Sequence, residues 1–281
     1  MDHLPIRFVE DVLRNLSTVW FLSNYKDLSG SFGGCACRME KRGYREKIKI
    51  TKGVLERYAK TYNLAPVKDF EHLCPKFSLS RTLIFRSSSG VIPEVNDNVA
   101  SKLESFLSPT QPSWTHIRLV SNSLDEKWLQ TLSCFKNLQC ITLFVDINEA
   151  VLQLLENVLG QEQLVKLNVD NHNPDHVPLF CKFLRQKQFK CLDFWAFNQE
   201  VKDQIMTLAS KNGEDYKGRF VAWRCFVAFP QSPFQNLGRV DAKRIRHKHD
   251  NFTVDYWEDA TLQLSNEEFM NNVEQTIVRF N

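Results

Sequence analysis

Long apolar runs are missing from this 281-residue chain. Its longest, such as Cys225–Phe229 (CFVAF), fall far below the ~20 residues that span a bilayer, so no membrane helix is predicted. The first residues have no secretory apolar core, because Asp2, Arg7, Glu10 and Asp11 interrupt it. An excess of one charge sign is also missing. Thirty-six basic against 33 acidic residues leave +3, so the global balance points to neither nucleic acid nor membrane. The eight cysteines follow no framework spacing, which predicts reduced thiols in the cytoplasm or nucleus. The chain contains no G-x-x-x-x-G-K-[ST], no dinucleotide glycine fingerprint and no G-x-S-x-G. Its acids and bases form no catalytic grouping, so we expect no enzyme and no cofactor.

What is present is a core-forming composition, 43% apolar and 25% charged, which argues against disorder. It is also patterned. Trp114–Leu119 (WTHIRL), Leu138–Leu143 (LQCITL), Leu164–Val169 (LVKLNV) and Phe189–Phe194 (FKCLDF) share one template: apolar, two variable, aliphatic, one variable, apolar. Their starts lie 24, 26 and 25 residues apart. After each hexamer the period changes from 2 to 3.6. The helical faces are Trp128, Leu132 and Phe135; Val151, Leu154, Leu155 and Val158; Val177, Phe180, Phe183 and Leu184; and Val201, Ile205, Leu208 and Ala209. Tandem strand-helix units predict neighbouring parallel strands near 116–120, 140–144, 166–170 and 191–195.

This pattern resembles the leucine-rich repeat, in which each unit buries its apolar face only by stacking on the next. The asparagine that such repeats place eight positions after the first apolar residue is Asn122 in the first unit, then Asp146, His172 and Phe197. The departures imply an irregular, open α/β solenoid. Outside the four units, 80–85 and 46–50 read as strands, 53–63 as a helix, and 97–107 as a helix with Val99, Leu103 and Phe106 on its stripe. Segments 219–229 and 252–259 read as strands. Residues 265–280 read as a closing helix over the sheet edge, opened by a capping box of Ser265 and Glu268.

The opening stretch MDHLPIRFVEDVLRNLS reads as an amphipathic helix, with Pro5 suited to its first turn. Ile6, Val9 and Leu13, with Phe8, Val12 and Leu16, give it a broad apolar face. On its own this could be a cap on the first strand, since terminal repeats need one. Leu4–Pro5 opening such a helix, followed by YKDLSGSFGGCA, resembles a divergent F-box. Joined to strand-helix repeats, it is similar to the nematode F-box and F-box-like families. The resemblance implies a helical segment over 1–45 and an α/β domain over 46–281. It also implies a Skp1-type adaptor as partner, met by Leu4, Pro5, Phe8, Val9, Val12, Leu13 and Leu16. The family's third segment with its buried tryptophan has no counterpart after Leu28, where Cys35 and Cys37 lie instead. The implied role is substrate recognition in a cullin-RING ubiquitin ligase. The other readings are a repeat-based interaction protein without ligase association and, third, a nucleic-acid binder.

Strand alternation sorts the repeat residues. With Ile117 and Leu119 inward, the open face carries the row Arg118, Thr142, Asn168, Asp193 beside the row Val120, Phe144, Asp170, Trp195. Arg118, Thr142, Phe144, Asn168, Asp193 and Trp195 are therefore the candidate target surface, unless a loop or the C-terminal segment covers Phe144 and Trp195. Three other groupings carry bland expectations. Cys35–Ala36–Cys37 has no second pair at zinc-ligand spacing. His172 and His176 flank Pro174 at a helix start. The basic run Lys243, Arg244, Arg246, His247, Lys248 and His249 reads as a solvated strand or hairpin edge. No metal site is expected.

Overall fold

The computed structural model describes residues 5–17, 25, 27–51, 54–61, 66–67, 73–74, 77–86, 103, 114–120, 131–133, 135, 137–229, 235–241, 243–249, 251–258 and 265–281. It is a mixed α/β structure with two compact units, Met1–Ile141 and Thr142–Asn281. The division falls inside the second repeat hexamer, Leu138–Leu143.

In the first unit, helices α1 (Ile6–Ser17) and α2 (Gly30–Arg42) precede strands β1 (Tyr44–Thr51), β2 (Val54–Thr61), β3 (Ser78–Arg86) and β4 (Trp114–Leu119). The strand order is β2-β1-β3-β4, with β1, β3 and β4 mutually parallel and β2 antiparallel to β1. The expected strands over 46–50 and 80–85 are therefore present. The expected helix over 53–63 is not. Val54 and Tyr58 favour an extended chain, and β2 pairs with β1 along its whole length, from Thr51 opposite Val54 to Tyr44 opposite Thr61. That ladder satisfies every one of its neighbour-facing peptide groups. Of the helix expected over 97–107, Leu103 is described and buried. Val99 and Phe106 lie outside the described residues, as do Asn122 and Trp128.

One core cluster ties the helices to the sheet. Val9 and Leu13, one turn apart on α1, pack with Cys35, Ala36 and Met39 of α2 and with Leu79 of β3. Tyr25 and Phe32 close its side in an edge-to-face pair at 6.3 Å. The turn from α2 into β1 is Gly43. A Cβ there would stand 2.2 Å from the Met39 carbonyl oxygen and 2.7 Å from Leu79 Cδ1, so no other residue fits without moving this cluster. On the buried face of β1, Glu46 takes Arg81 at 3.1 Å and Arg57 at 2.5 Å. A carboxylate enclosed to this degree requires such partners.

The second unit runs from β5 (Leu138–Leu143), which contains the division, through α3 (Glu149–Gly160) and β6 (Lys166–Val169). It continues with a 3₁₀ turn (Pro174–His176), α4 (Val177–Arg185), β7 (Cys191–Phe194), α5 (Gln199–Lys211), α6 (Gly213–Tyr216) and β8 (Phe220–Trp223). Beyond these lie β9 (Gln235–Asp241), β10 (Arg244–Lys248), β11 (Phe252–Trp257), α7 (Asn266–Asn271) and β12 (Gln275–Phe280). The order is β5-β6-β7-β8-β12-β11-β10-β9. As expected, β6 and β7 are parallel neighbours, and β8 extends them. Of the expected helical faces, Val151, Leu154, Leu155, Val158, Val177, Phe180, Phe183, Leu184, Val201, Ile205 and Ala209 are buried and Leu208 is half-buried. Asn148 and Asn198 cap α3 and α5 through side chains that accept from Val151 and Val201. In place of a regular asparagine ladder, Asn171 Nδ2 donates to Asp146 Oδ1 between successive strand-helix repeats at 3.0 Å.

The closing helix over 265–280 is corrected. The capping box of Ser265 and Glu268 is present, but α7 ends at Asn271. The chain then enters β12, which lies between β8 and β11 and is antiparallel to both. Alternation in Gln275–Phe280 buries Thr276, Ile277, Val278 and Phe280. The segment is interior sheet rather than an edge cover.

Leu167 is fully buried at the centre of β6. Leu167→Asp should cost at least about 3 kcal/mol, the scale of losing a buried leucine plus desolvation of the new carboxylate. The melting temperature should fall by roughly 6 °C or more in thermal unfolding monitored by circular dichroism. An unchanged midpoint would refute the assignment of this face.

Candidate partner-binding site

On α1 the packing divides the apolar face in two. Val9 and Leu13 are buried at 1% and 0% exposure, whereas Ile6 and Phe8 are each 52% exposed and Pro5 is exposed. Val12 is half-buried. A helix turns 100° per residue, so anchoring Val9 and Leu13 against α2 carries the adjacent Phe8 off that contact. Val9 and Leu13 therefore leave the set of partner-facing residues, because the α2 and β3 core already occupies them. Leu4 and the side chain of Leu16 lie outside the described residues. Leu28, 50% exposed just before α2, adds apolar surface to the same unit.

In the second unit the expected surface is sorted by burial. Thr142, Asn168 and Asp193 are buried, so this row works inside the sheet rather than as surface. Asn168 Nδ2 donates to Thr142 Oγ1 at 2.6 Å. Asp193 Oδ2 is held by Lys166 Nζ at 3.1 Å and by Arg224 Nη2 at 3.2 Å. Arg118 belongs to the first unit and is half-buried on β4. The aromatic row is more open. Phe144 meets Trp195 edge-to-face at 4.8 Å, and the Arg224 guanidinium lies 4.2 Å from the Trp195 ring centroid. Trp195, Phe197 and Phe226 are 36%, 41% and 45% exposed. Arg224 is the residue that sequence reasoning missed. It follows β8, outside the four hexamers, and its role depends on parallel pairing of β8 with β7.

The remaining groupings have local explanations. Cys35 is buried and its Sγ accepts from Arg38 Nη2 at 3.0 Å, while Cys37 is half-buried. His172 stacks on Phe194 at 4.4 Å and His176 meets Phe180 at 6.3 Å. Burial pushes both imidazoles below the ordinary histidine range. Among the described residues no group of three His, Cys, Asp or Glu side chains is placed to hold a metal.

The basic run occupies β10, which is paired on both sides, by β9 and β11, so the hairpin-edge expectation is corrected. Its two arginines are engaged. Arg244 reaches Asp241 at 3.2 Å, and Arg246 grips the fully buried Asp255 through two bonds of 2.6 and 2.9 Å. Arg279 adds a third at 3.0 Å. His247 and His249 pack on Tyr256 and Phe252.

No family model, curated protein or solved structure matches this chain.

Burial alone would raise the Asp255 carboxyl, but bonds from Arg246 and Arg279 and their charges hold it below the usual carboxylate range. A depressed native value means stability that is complete above the unfolded value of about 3.9 and is lost as pH falls through the native value. Asp255→Asn should therefore destabilise the protein at neutral pH and flatten its acid unfolding. Denaturant unfolding at pH 7 and near pH 3 measures both. An unchanged difference between the two pH values would contradict this role.

Proposed function

We propose that the chain is a non-enzymatic substrate-recognition adaptor of a cullin-RING ubiquitin ligase. It binds a Skp1-type adaptor through the outward side of α1 and a target protein through the aromatic surface of the second unit. The observation that carries this reading is the divided helix face. Val9 and Leu13 anchor α1, while Pro5, Ile6 and Phe8 present large apolar groups to solvent. Phe8, turned about 100° from Val9, and Ile6, one turn before Val9, are both half exposed, and such bulky apolar groups are productive at an interface. The resemblance of this stretch to an F-box supplies the partner. In this reading the strand-helix units of the second unit are a leucine-rich-repeat-like solenoid. Trp195, held by Phe144 and Arg224, is its anchor, and Phe197 and Phe226 are further exposed aromatics of the same unit. Ubiquitin transfer belongs to other subunits, in the cytoplasm or nucleus. Among the described residues no helix is long and apolar enough to cross a membrane.

A second reading, an interaction protein without ligase association, is favoured by one observation. The segment after Leu28, where the F-box pattern has its tryptophan, is α2 with Cys35 and Cys37 and no tryptophan, and it passes through Gly43 directly into β1.

Phe8→Glu separates the two. An exposed side chain can be exchanged within about 0.5 kcal/mol, so the melting temperature should stay within roughly 2 °C of wild type. Loss of an aromatic anchor should weaken adaptor binding about 30-fold or more, the equivalent of about 2 kcal/mol. Titration of purified Skp1-type adaptor against the full chain and this variant measures it. No binding by the wild type favours the second reading. Equal binding by both forms contradicts the placement of the interface on α1.

A further inference from the structure

The first unit carries a feature that the adaptor reading does not use. In β1 the buried side chains Tyr44, Glu46, Ile48 and Ile50 alternate with Arg45, Lys47 and Lys49, which point to the opposite face. Strand register continues that face across the sheet. Arg45 lies beside Ser80 and Ser80 beside Trp114; Lys47 lies beside Thr82 and Thr82 beside His116. Arg118 follows two residues after His116. The register between β1 and β3 shifts at Leu79, which no β1 residue opposes.

These residues enclose a basin of about 240 Å³ lined by Arg45, Lys47, Ser80, Thr82, His116 and Arg118, with Leu79 and Trp114 as its apolar wall. No lining residue is acidic. Among the described residues neither Arg45 nor Lys47 has an ion pair. Glu56, on neighbouring β2, is shared between Lys49 at 3.7 Å and the Tyr58 hydroxyl at 2.5 Å. The Lys47 ammonium titrates below the ordinary lysine range, first through partial burial and then through the positive charges of Arg118, Lys60 and Arg45. Folding has gathered like charges around hydroxyl donors, an arrangement that repels itself when empty and is relieved by an anion.

We propose that this basin binds a small phosphorylated molecule, with Arg45, Lys47 and Arg118 neutralising the phosphoryl charge and Ser80, Thr82 and His116 donating to its oxygens. Three basic side chains match a diphosphate better than a single carboxylate, and the guanidinium forks suit phosphoryl oxygens. Trp114 offers a wall for an organic remainder. The inference is independent of the adaptor reading, because α1 contributes nothing to the basin.

Calorimetric titration of the full chain with sodium pyrophosphate tests it, with sodium sulfate and a phosphoserine pentapeptide as parallel arms. One pyrophosphate should bind per chain, at least tenfold more tightly than sulfate or the peptide. Lys47→Gln and Arg45→Gln should each weaken binding at least tenfold. The melting temperature of unliganded Lys47→Gln should equal or exceed that of wild type, since the substitution removes repulsion. That readout separates lost binding from lost folding. Unaltered affinity in both variants, or pyrophosphate no tighter than sulfate, would overturn the proposal. Tighter binding of the phosphoserine peptide would overturn the assignment of a small-molecule ligand.

Discussion

Every buried peptide group must find a partner, and that requirement governs both units of this protein. In the second unit β8 ends the parallel series β6, β7 and β8. Its far edge would expose a row of peptide groups beside Phe220–Trp223. The last strand of the chain fills that position. Thr276 to Arg279 pair with Trp223 to Phe220 on one side, and Gln275 to Phe280 pair with β11 on the other. The apolar groups follow the backbone. Val278 and Trp223 are fully buried, and Trp223 stacks on Phe194 at 6.0 Å. The same rule makes a hairpin of β1 and β2 in the first unit, where β2 lends Arg57 to the buried Glu46.

Packing then decides which side chains remain for partners. On α1, Val9 and Leu13 meet the α2 and β3 core, Glu10 is buried beside Val9, and Phe8 is left outward. In the second unit the polar row Thr142, Asn168 and Asp193 is consumed by mutual bonds and by Lys166 and Arg224. The aromatic row beside it keeps Trp195 partly open. In the proposed reading, recognition lies in residues next to those that hold the fold, an arrangement that permits surface change without loss of the core.

Where structure is local, it was legible in the sequence. The strand-helix units between 138 and 209 each contain their own change of period and their own caps, so β5 to β7 and α3 to α5 follow from short windows. Where structure is set by distant pairing, it was not. Val54–Thr61 has apolar residues at both helical and extended spacings, and β1 decides between them. Residues 275–280 carry a strand alternation, but a capped helix precedes them at the same apolar density, and the position between β8 and β11 is decided by segments up to 60 residues away. Phe8 and Val9 could not be distinguished from sequence, because both lie on one broad apolar face and only the position of α2 separates them. Arg224 and the cationic basin were missed for a related reason. Each is assembled from separate strands, although the alternation of Arg45, Lys47 and Lys49 is visible in the chain.

The central claim is that α1 is held from one side so that its other side can dock. Hydrogen exchange of the full chain, with and without a saturating Skp1-type adaptor, addresses it most directly. The account predicts that the amides of Ile6–Ser17 gain protection on adaptor binding while those of β6 and β7 are unchanged. Binding that leaves α1 exchange unaltered and instead protects the second unit would contradict it.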